Sequence, residues 1–427
     1  METVAPARAV ISSRPATVLA RVWRSAVAEL LEGIRVLEVA QGVAGPHAGK
    51  LLAEYGADVL KVEPLEGDES RAAGPFKDDV PHPETSALFL NLNRNKRSAT
   101  LNLDAAEGRG IFLRLAAAAD VVIENFRPGQ LAAWGIGYDV LSRDRPDIVL
   151  ASITPFGQTG PWRDYRGSEI TLQAIGGPLH SNGTPAREPA KLGGSIAHYH
   201  CGAAVAFAVV LARLRVEQGG AGDWIDQSVY EAQAGFRDRR SAGLTAAGYV
   251  GISSHRQQPA NRAAVGVRPA VDGYVNILGG GSRHFGELLD LIGRPDLKDH
   301  PDFGKPVVSY SRAYAEQVEG SYLAWLFETP KKEAVAQVQE RGILGGAILS
   351  VADLLSDAHY RGRGTFETID HPVAGQAEYA GRQLLFSETP RRSARRAPLL
   401  GEHNAEVYGR LGFQGAALAG LRERGVI

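Results

Sequence analysis

An α/β fold, with a parallel sheet covered by helices, is what the first half of this sequence predicts. Three observations carry that expectation. Short strand-like apolar runs alternate with helical stretches from Arg35 to Ile153. The links between them are brief and carry glycine or proline, the residues that punctuate elements. The chain has 427 residues, 44% hydrophobic and 22% charged, enough for two or three packed units.

The elements follow in order. Arg35–Val39 (RVLEV) reads as a strand, broken by Gly42, Gly45 and Pro46. A helix starts near Pro46, a residue tolerated in a first turn, carries Leu51 and Leu52, and ends near Gly56. Asp58–Glu63 (DVLKVE) is the next strand, which completes a βαβ unit. Ala99–Leu103 reads as a strand, and Ala105–Ala118 as a helix with Ile111, Phe112 and Leu115 on one face. Val121–Asn125 and Ile148–Ile153 are further strands. A long apolar helix is expected over His198–Glu217. Its run Ala203–Ala212 is the longest apolar stretch and reads as buried rather than membrane-spanning, since a span needs about 18 residues. The expected division is an extension at 1–32 (partly helical over Ala16–Leu31), a large domain over 33–235, and a linker at 236–267. A small domain over 268–385 and a connector with C-terminal return over 386–427 complete it. Gly279–Gly281 (ILGGGSRHF) form either a mobile lid or a strand-to-helix turn, the turn being preferred, with Ser282 capping the next helix.

Composition excludes several classes. A formal net charge of −1 provides no general field for nucleic acid or an acidic membrane. A single cysteine, Cys201, excludes an internal disulfide framework and a cysteine-based zinc site, and fits a reducing, cytoplasmic home. No metal is expected. The glycines Gly42, Gly45 and Gly49 miss the G-x-G-x-x-G spacing, so nicotinamide and flavin dinucleotides are not expected either. Gly49-Lys50 is followed by Leu51, which rules out a P-loop.

The segments VAGPHAG, GADVLKVE, NRNKRS, IENFRPG, IVLASITPFGQTGP, GDWIDQS, DHPDF and APLLGEH stand in order along the chain. In that order they resemble the family III coenzyme A transferases. The resemblance implies a Rossmann-like large domain with a smaller α/β domain, and two chains threaded into an interlocked dimer. It implies coenzyme A, free or as acyl-CoA, as substrate. Carried residue by residue, it points to Val43 and Ala44, Leu103, Asp104, Ala105 and Ala106, Asn125, Phe126 and Arg127, and Tyr165, Arg166, Gly167 and Ser168 as coenzyme contacts. Arg127 and Arg166, helped by Lys96 or Arg97, would neutralise the phosphates. Pro64 and Ala133 stand where relatives often carry arginine, and the Arg391–Arg396 cluster reads as solvated linker.

The resemblance also implies a nucleophilic aspartate before the long helix, which can be acylated and displaced. Here the matching segment is KLGGSIAH, and Gly194 takes that place. Glu169 matches a second acidic position. It either acts as nucleophile or base, or orients the helix start. His198 is a candidate base near neutral pH, and Ser195 reads as an N-cap. The activity implied is transfer of coenzyme A between an acyl-CoA and a free carboxylic acid. An alternative is a coenzyme-binding subunit that works with a catalytic homologue. The chain would thus sit in a homodimer or in a heterodimer with a homologous subunit. Racemase chemistry is disfavoured, because Ser168 and Gly194 replace the residues it needs.

Overall fold

A computed structural model of the chain describes residues 29–183, 186–235, 248–249, 251, 263–389 and 392–427. The expectations for 1–28 and for most of the linker fall outside the described residues. The chain forms two compact units. The larger comprises described residues 29–169, 195–232 and 367–427, and the smaller comprises 170–194 and 233–366.

The larger unit is built on six strands: β1 (Arg35–Glu38), β2 (Asp58–Glu63), β3 (Arg97–Thr100), β4 (Val121–Glu124), β5 (Val149–Thr154) and β6 (Trp224–Ser228). All pair in parallel, in the order β3-β2-β1-β4-β5-β6. Crossovers run through α1 (Ala44–Glu54), α2 (Ala87–Leu92), α3 (Ala106–Ala117), and the short α4 (Gln130–Ala133) and α5 (Tyr138–Asp144). Then comes α7 (Ile196–Glu217); α6 (Glu169–Ile175) starts at the last residue of this unit's first piece and otherwise belongs to the smaller unit. Strands β4 and β5 are buried along their whole length, as expected where helices cover both faces. One core is formed by Leu37, Val62, Leu101, Phe112, Val122, Leu150 and their neighbours.

β2 matches its expected span, but β3 runs over Arg97–Thr100 rather than Ala99–Leu103. Register explains the shift: Leu60 to Glu63 pair with Arg97 to Thr100, and Leu101 and Leu103 enter the core after the ladder ends. The C-terminal helices Asn404–Arg410 and Ala416–Glu423 close that edge. Asn404 accepts from the Thr100 amide at 2.9 Å and donates to the Thr100 hydroxyl at 2.8 Å. The Asn102 amide bonds the Val426 carbonyl at 2.9 Å. The basic connector is tied down too. Arg396 grips Glu402 with two hydrogen bonds, Arg395 bonds Asn95 and Arg392 pairs with Glu29, so these arginines, though solvent-accessible, are also tied to the larger unit.

Beneath α1 lies a buried ionic network. Lys61 Nζ meets Asp68 at 2.6 Å and Glu38 at 3.0 Å, and Lys96 Nζ meets Glu38 at 2.8 Å, all out of contact with solvent. Charges inside a core persist only when paired and hydrogen-bonded. This network explains Gly49, and the packing of Ala40 explains Gly45. A Cβ at Gly49 would lie 1.8 Å from Glu38 Oε2, and one at Gly45 would lie 2.2 Å from the Ala40 Cβ.

The long apolar helix is α7, and only one of its faces is buried, through Cys201, Val205 and Val209. Phe207, Leu211 and Leu214 are exposed, which corrects the expectation of a fully buried helix. By length and composition α7 is apolar enough to cross a membrane; here its buried face packs on α1.

The smaller unit holds a three-stranded antiparallel sheet of β7 (Val265–Ala270), β8 (Gly273–Leu278) and β9 (Gly345–Ala347), backed by helices over Arg312–Glu328 and Lys331–Glu340. Its core includes Val275, Ile277, Leu288, Tyr314 and Val338. Gly279 and Gly280 allow close packing, because a Cβ would meet Leu288 at 2.3 Å and the Ala263 carbonyl at 2.0 Å. The glycines therefore form the turn. Ser282 does not cap the following helix: its hydroxyl donates back to the Gly279 carbonyl at 2.8 Å.

Candidate active site

In this strand order the chain reverses direction between β1 and β4. Ligands of open α/β sheets bind outside the carboxyl ends of the strands at such a point. The two loops that flank it are locked together. The Gln41 amide donates to Asn125 Oδ1 at 2.8 Å, and Asn125 Nδ2 returns a bond to the Gln41 carbonyl at 2.8 Å. Val43, at the N-cap position of α1, and Ala44 thus stand beside Asn125, Phe126 and Arg127. Leu103–Ala106 leave the carboxyl end of β3, and Tyr165–Ser168 follow β5. Leu103 itself packs in the core, while Asp104 and Ala106 are exposed. Tyr165 is 57% exposed and stacks on Trp162 at 6.1 Å, a flat aromatic platform.

Arg127 and Arg166 are exposed, and among the described residues neither guanidinium has a hydrogen-bond or ion-pair partner. Both are available to anions. Lys96 and Arg97 are not. Lys96 is enclosed with Glu38, Asn93 and the Pro46 carbonyl, and Arg97 pairs with Asp58 and Glu406. Their charge is spent inside the unit, which corrects the expectation that they help neutralise phosphate.

A small cavity of about 180 Å³ adjoins Arg127, lined also by Glu124, Tyr138, Ser152, Gln158 and Trp224. Apart from Arg127, sequence reading missed its lining, which comes from β4, α4, α5, β5, β6 and the loops around them, with no shared local pattern. Glu124 accepts from the Phe126 amide at 2.7 Å and Trp224 Nε1 donates to the Ser152 hydroxyl at 2.9 Å. Burial pushes the Glu124 carboxyl up to about 7, although hydrogen bonds from Ser152 and Phe126 oppose it.

The head of α7 is the second feature. Gly202 lets α7 approach α1 so closely that a Cβ there would meet the Ala44 carbonyl at 2.4 Å. One turn earlier, Tyr199 contacts His47 edge-on at 4.8 Å. Burial, with Lys50 and Lys96 nearby, pushes His47 down to about 4, so that ring is neutral at pH 7. The N-terminus of α7 is thereby held against Ala44 and His47. Its first amides are taken by Glu169: Oε1 accepts from Ala197 at 2.8 Å and Oε2 from His198 at 3.3 Å. Ser195 occupies the N-cap position, but its hydroxyl makes no capping bond, contrary to expectation; the Glu169 carboxylate does that work from 26 residues away. Glu169 Oε2 also lies 2.6 Å from His198 Nδ1. A carboxylate there draws the ring proton onto Nδ1 and leaves Nε2 as the basic nitrogen. Gly194 has φ +64°, and among the described residues a Cβ built there meets nothing within 4 Å. Among the described residues no group of three His, Cys, Asp or Glu side chains is placed to hold a metal ion.

The model of CoA-transferase family III matches residues 31–404. The chain is 31% identical over 386 residues to succinate–glutarate CoA-transferase of Agrobacterium fabrum, covering 89% of this chain and 95% of that protein. It is 34% identical over 411 residues to the beta subunit of succinyl-CoA–L-malate CoA-transferase of Chloroflexus aurantiacus, covering 93% and 98%. The crystal structure of a CAIB/BAIF family protein from Brucella suis superposes with a TM-score of 0.77 at 32% identity, covering 90% of this chain and all of that one.

Proposed function

Because the chain belongs to CoA-transferase family III, and is an enzyme that moves coenzyme A between an acyl-CoA and a free carboxylic acid, we propose that the β1/β4 crevice is where it does so. The single observation that carries this reading is the lock between Gln41 and Asn125, which sets Val43 and Ala44 against Asn125, Phe126 and Arg127 at the switch point of the sheet. In this reading Arg127 and Arg166 meet the phosphates, Asp104–Ala106 flank the adenine, and Tyr165–Ser168 line the same path. Glu169 and His198 are the polar pair at the thioester end.

The transfer can proceed between bound substrates. The acceptor carboxylate bonds to the thioester carbonyl and expels the coenzyme thiolate. The thiolate then adds to the acceptor's own carbonyl and releases the donor as its carboxylate. Bringing two substrates together is the main catalytic lever for such a route.

We propose a dicarboxylyl-CoA donor. Relatives named for succinyl-CoA transfer to L-malate, D-citramalate and mesaconate support it. The working unit in this reading is an interlocked pair of chains in the cytoplasm. Phe207, Val210, Leu211 and Leu214 form an exposed apolar stripe at helical spacing on α7, a surface that monomers rarely leave bare. We take the second chain to be a copy of the first. Two Chloroflexus relatives are named as alpha and beta subunits, so light scattering on the pure chain decides between a copy and a homologue.

Incubating the enzyme with succinyl-CoA and a panel of C4 and C5 acids, read by mass spectrometry, tests the function. New acyl-CoA species are expected. A protein that binds coenzyme A yet exchanges it with none of these acids would refute the choice of donor and acceptor.

A further inference from the structure

We propose that this chain also hydrolyses acyl-CoA thioesters, with His198 as general base and water as acceptor. The inference rests on the reading that an acyl-CoA occupies the crevice beside the head of α7. Glu169 holds His198 through Nδ1 at 2.6 Å, and among the described residues Nε2 has no partner. The His198 side chain is about a quarter exposed, so a small molecule can reach it. The Glu169 carboxylate is engaged on both oxygens, by the Ala197 amide on one and by His198 on the other. It is built to hold the imidazole rather than to be acylated. Gly194 adds no side chain to the segment entering the helix, and among the described residues a Cβ there would meet nothing within 4 Å.

An acceptor carboxylate at neutral pH has no proton to lose, so transfer between acids needs no base. Water does have one. A carboxylate-oriented imidazole with its second nitrogen free is the arrangement that removes it. In the step proposed, the water oxygen bonds to the thioester carbonyl carbon while its proton passes to His198 Nε2. Collapse of the adduct breaks the carbon–sulfur bond, and the proton passes from Nε2 to the departing thiolate. The products are the free acid and coenzyme A, and no other reagent is consumed.

The test uses the full-length chain with succinyl-CoA, and separately acetyl-CoA, in ¹⁸O-labelled water without an acceptor acid. Thiol release is followed, and the acid product is examined by mass spectrometry. The expected result is thiol release above the buffer rate, with one ¹⁸O in the acid for each thiol released. His198→Ala should lower kcat about 10²- to 10⁴-fold while calorimetry finds the Kd for coenzyme A unchanged. Glu169→Gln should lower kcat in the same direction. Because Glu169 also caps α7, its variant is compared by circular dichroism, and His198→Asn provides a second variant that leaves the carboxylate in place. A chain that binds coenzyme A but releases no thiol above buffer overturns the inference and spares the transferase reading. So does His198→Ala turning over at the wild-type rate. A chain that binds no coenzyme A at all removes both.

Discussion

Gly202→Ala should loosen the contact on which the head of α7 depends. The added methyl carbon would stand 2.4 Å from the Ala44 carbonyl oxygen and 3.0 Å from the His47 Cβ, and real Cβ contacts stay beyond 3.0 Å. A backbone oxygen cannot rotate away, so α7 must retreat from α1 by roughly half an ångström or more. Overpacking of this kind costs about 1–3 kcal/mol. Alanine in place of helical glycine returns about 0.5–1 kcal/mol. The net expectation is a loss of up to about 2.5 kcal/mol, or a Tm lower by up to roughly 10 °C for a unit of this size. Because the displaced helix carries Glu169's partners, affinity for coenzyme A should fall as well. Gly110→Ala is the matched control: Gly110 lies in α3 and a Cβ there meets nothing within 4 Å, so that change should raise Tm slightly. Thermal melts of the three proteins, with calorimetric titration of coenzyme A, make the comparison. A Gly202→Ala protein as stable as Gly110→Ala would show that α1 and α7 are not in the close contact described, and the argument for the position of His198 would fall with it.

Arg127→Ala should raise the Kd for coenzyme A about 10- to 100-fold, the worth of one charge-assisted hydrogen bond, with Tm little changed because among the described residues its guanidinium has no hydrogen-bond or ion-pair partner; an unaltered Kd by calorimetry would take Arg127 out of the crevice. Glu124 has its folded pKa raised to about 7 by burial, so the folded state holds an extra proton between the unfolded value near 4.3 and 7, and stability should fall as pH rises through that window. Urea melts at pH 5 and pH 7.5 should differ by up to about 3 kcal/mol more in the wild type than in Glu124→Gln, and equal slopes would refute the assignment. Phe207→Glu places a charge in the exposed apolar stripe of α7 and should convert a dimer to monomer in light scattering; an intact dimer would locate the interface elsewhere.

Much of the large sheet was legible because its strands are short apolar runs bounded by glycine or by a helix of matching period. β2 is the clearest instance. What escaped was anything set by partners distant in sequence. Lys61 and Glu63 look like the polar positions of an alternating strand, yet both are buried, because Glu38, Asp68 and Arg71 meet them from other segments. Ser195 carries the local signature of a helix cap, but a carboxylate from Glu169 arrives first. The Glu124 cavity draws on β5 and β6, whose side chains meet only after the sheet forms. The proposed coenzyme segments were traced through family resemblance, and each follows the carboxyl end of a strand of the same sheet.

The three-piece construction of the larger unit has a bearing on how the protein is made. Residues 367–427 are made after all six strands of the sheet, yet they supply Asn404 to Thr100 and Val426 to Asn102 at the rim of β3. Until they are made, Thr100 and Asn102 lack these partners, and the rim of β3 stays uncovered while about three hundred further residues are added. Truncation that removes Asn404 to Val426 should therefore yield insoluble product rather than a shortened but working enzyme.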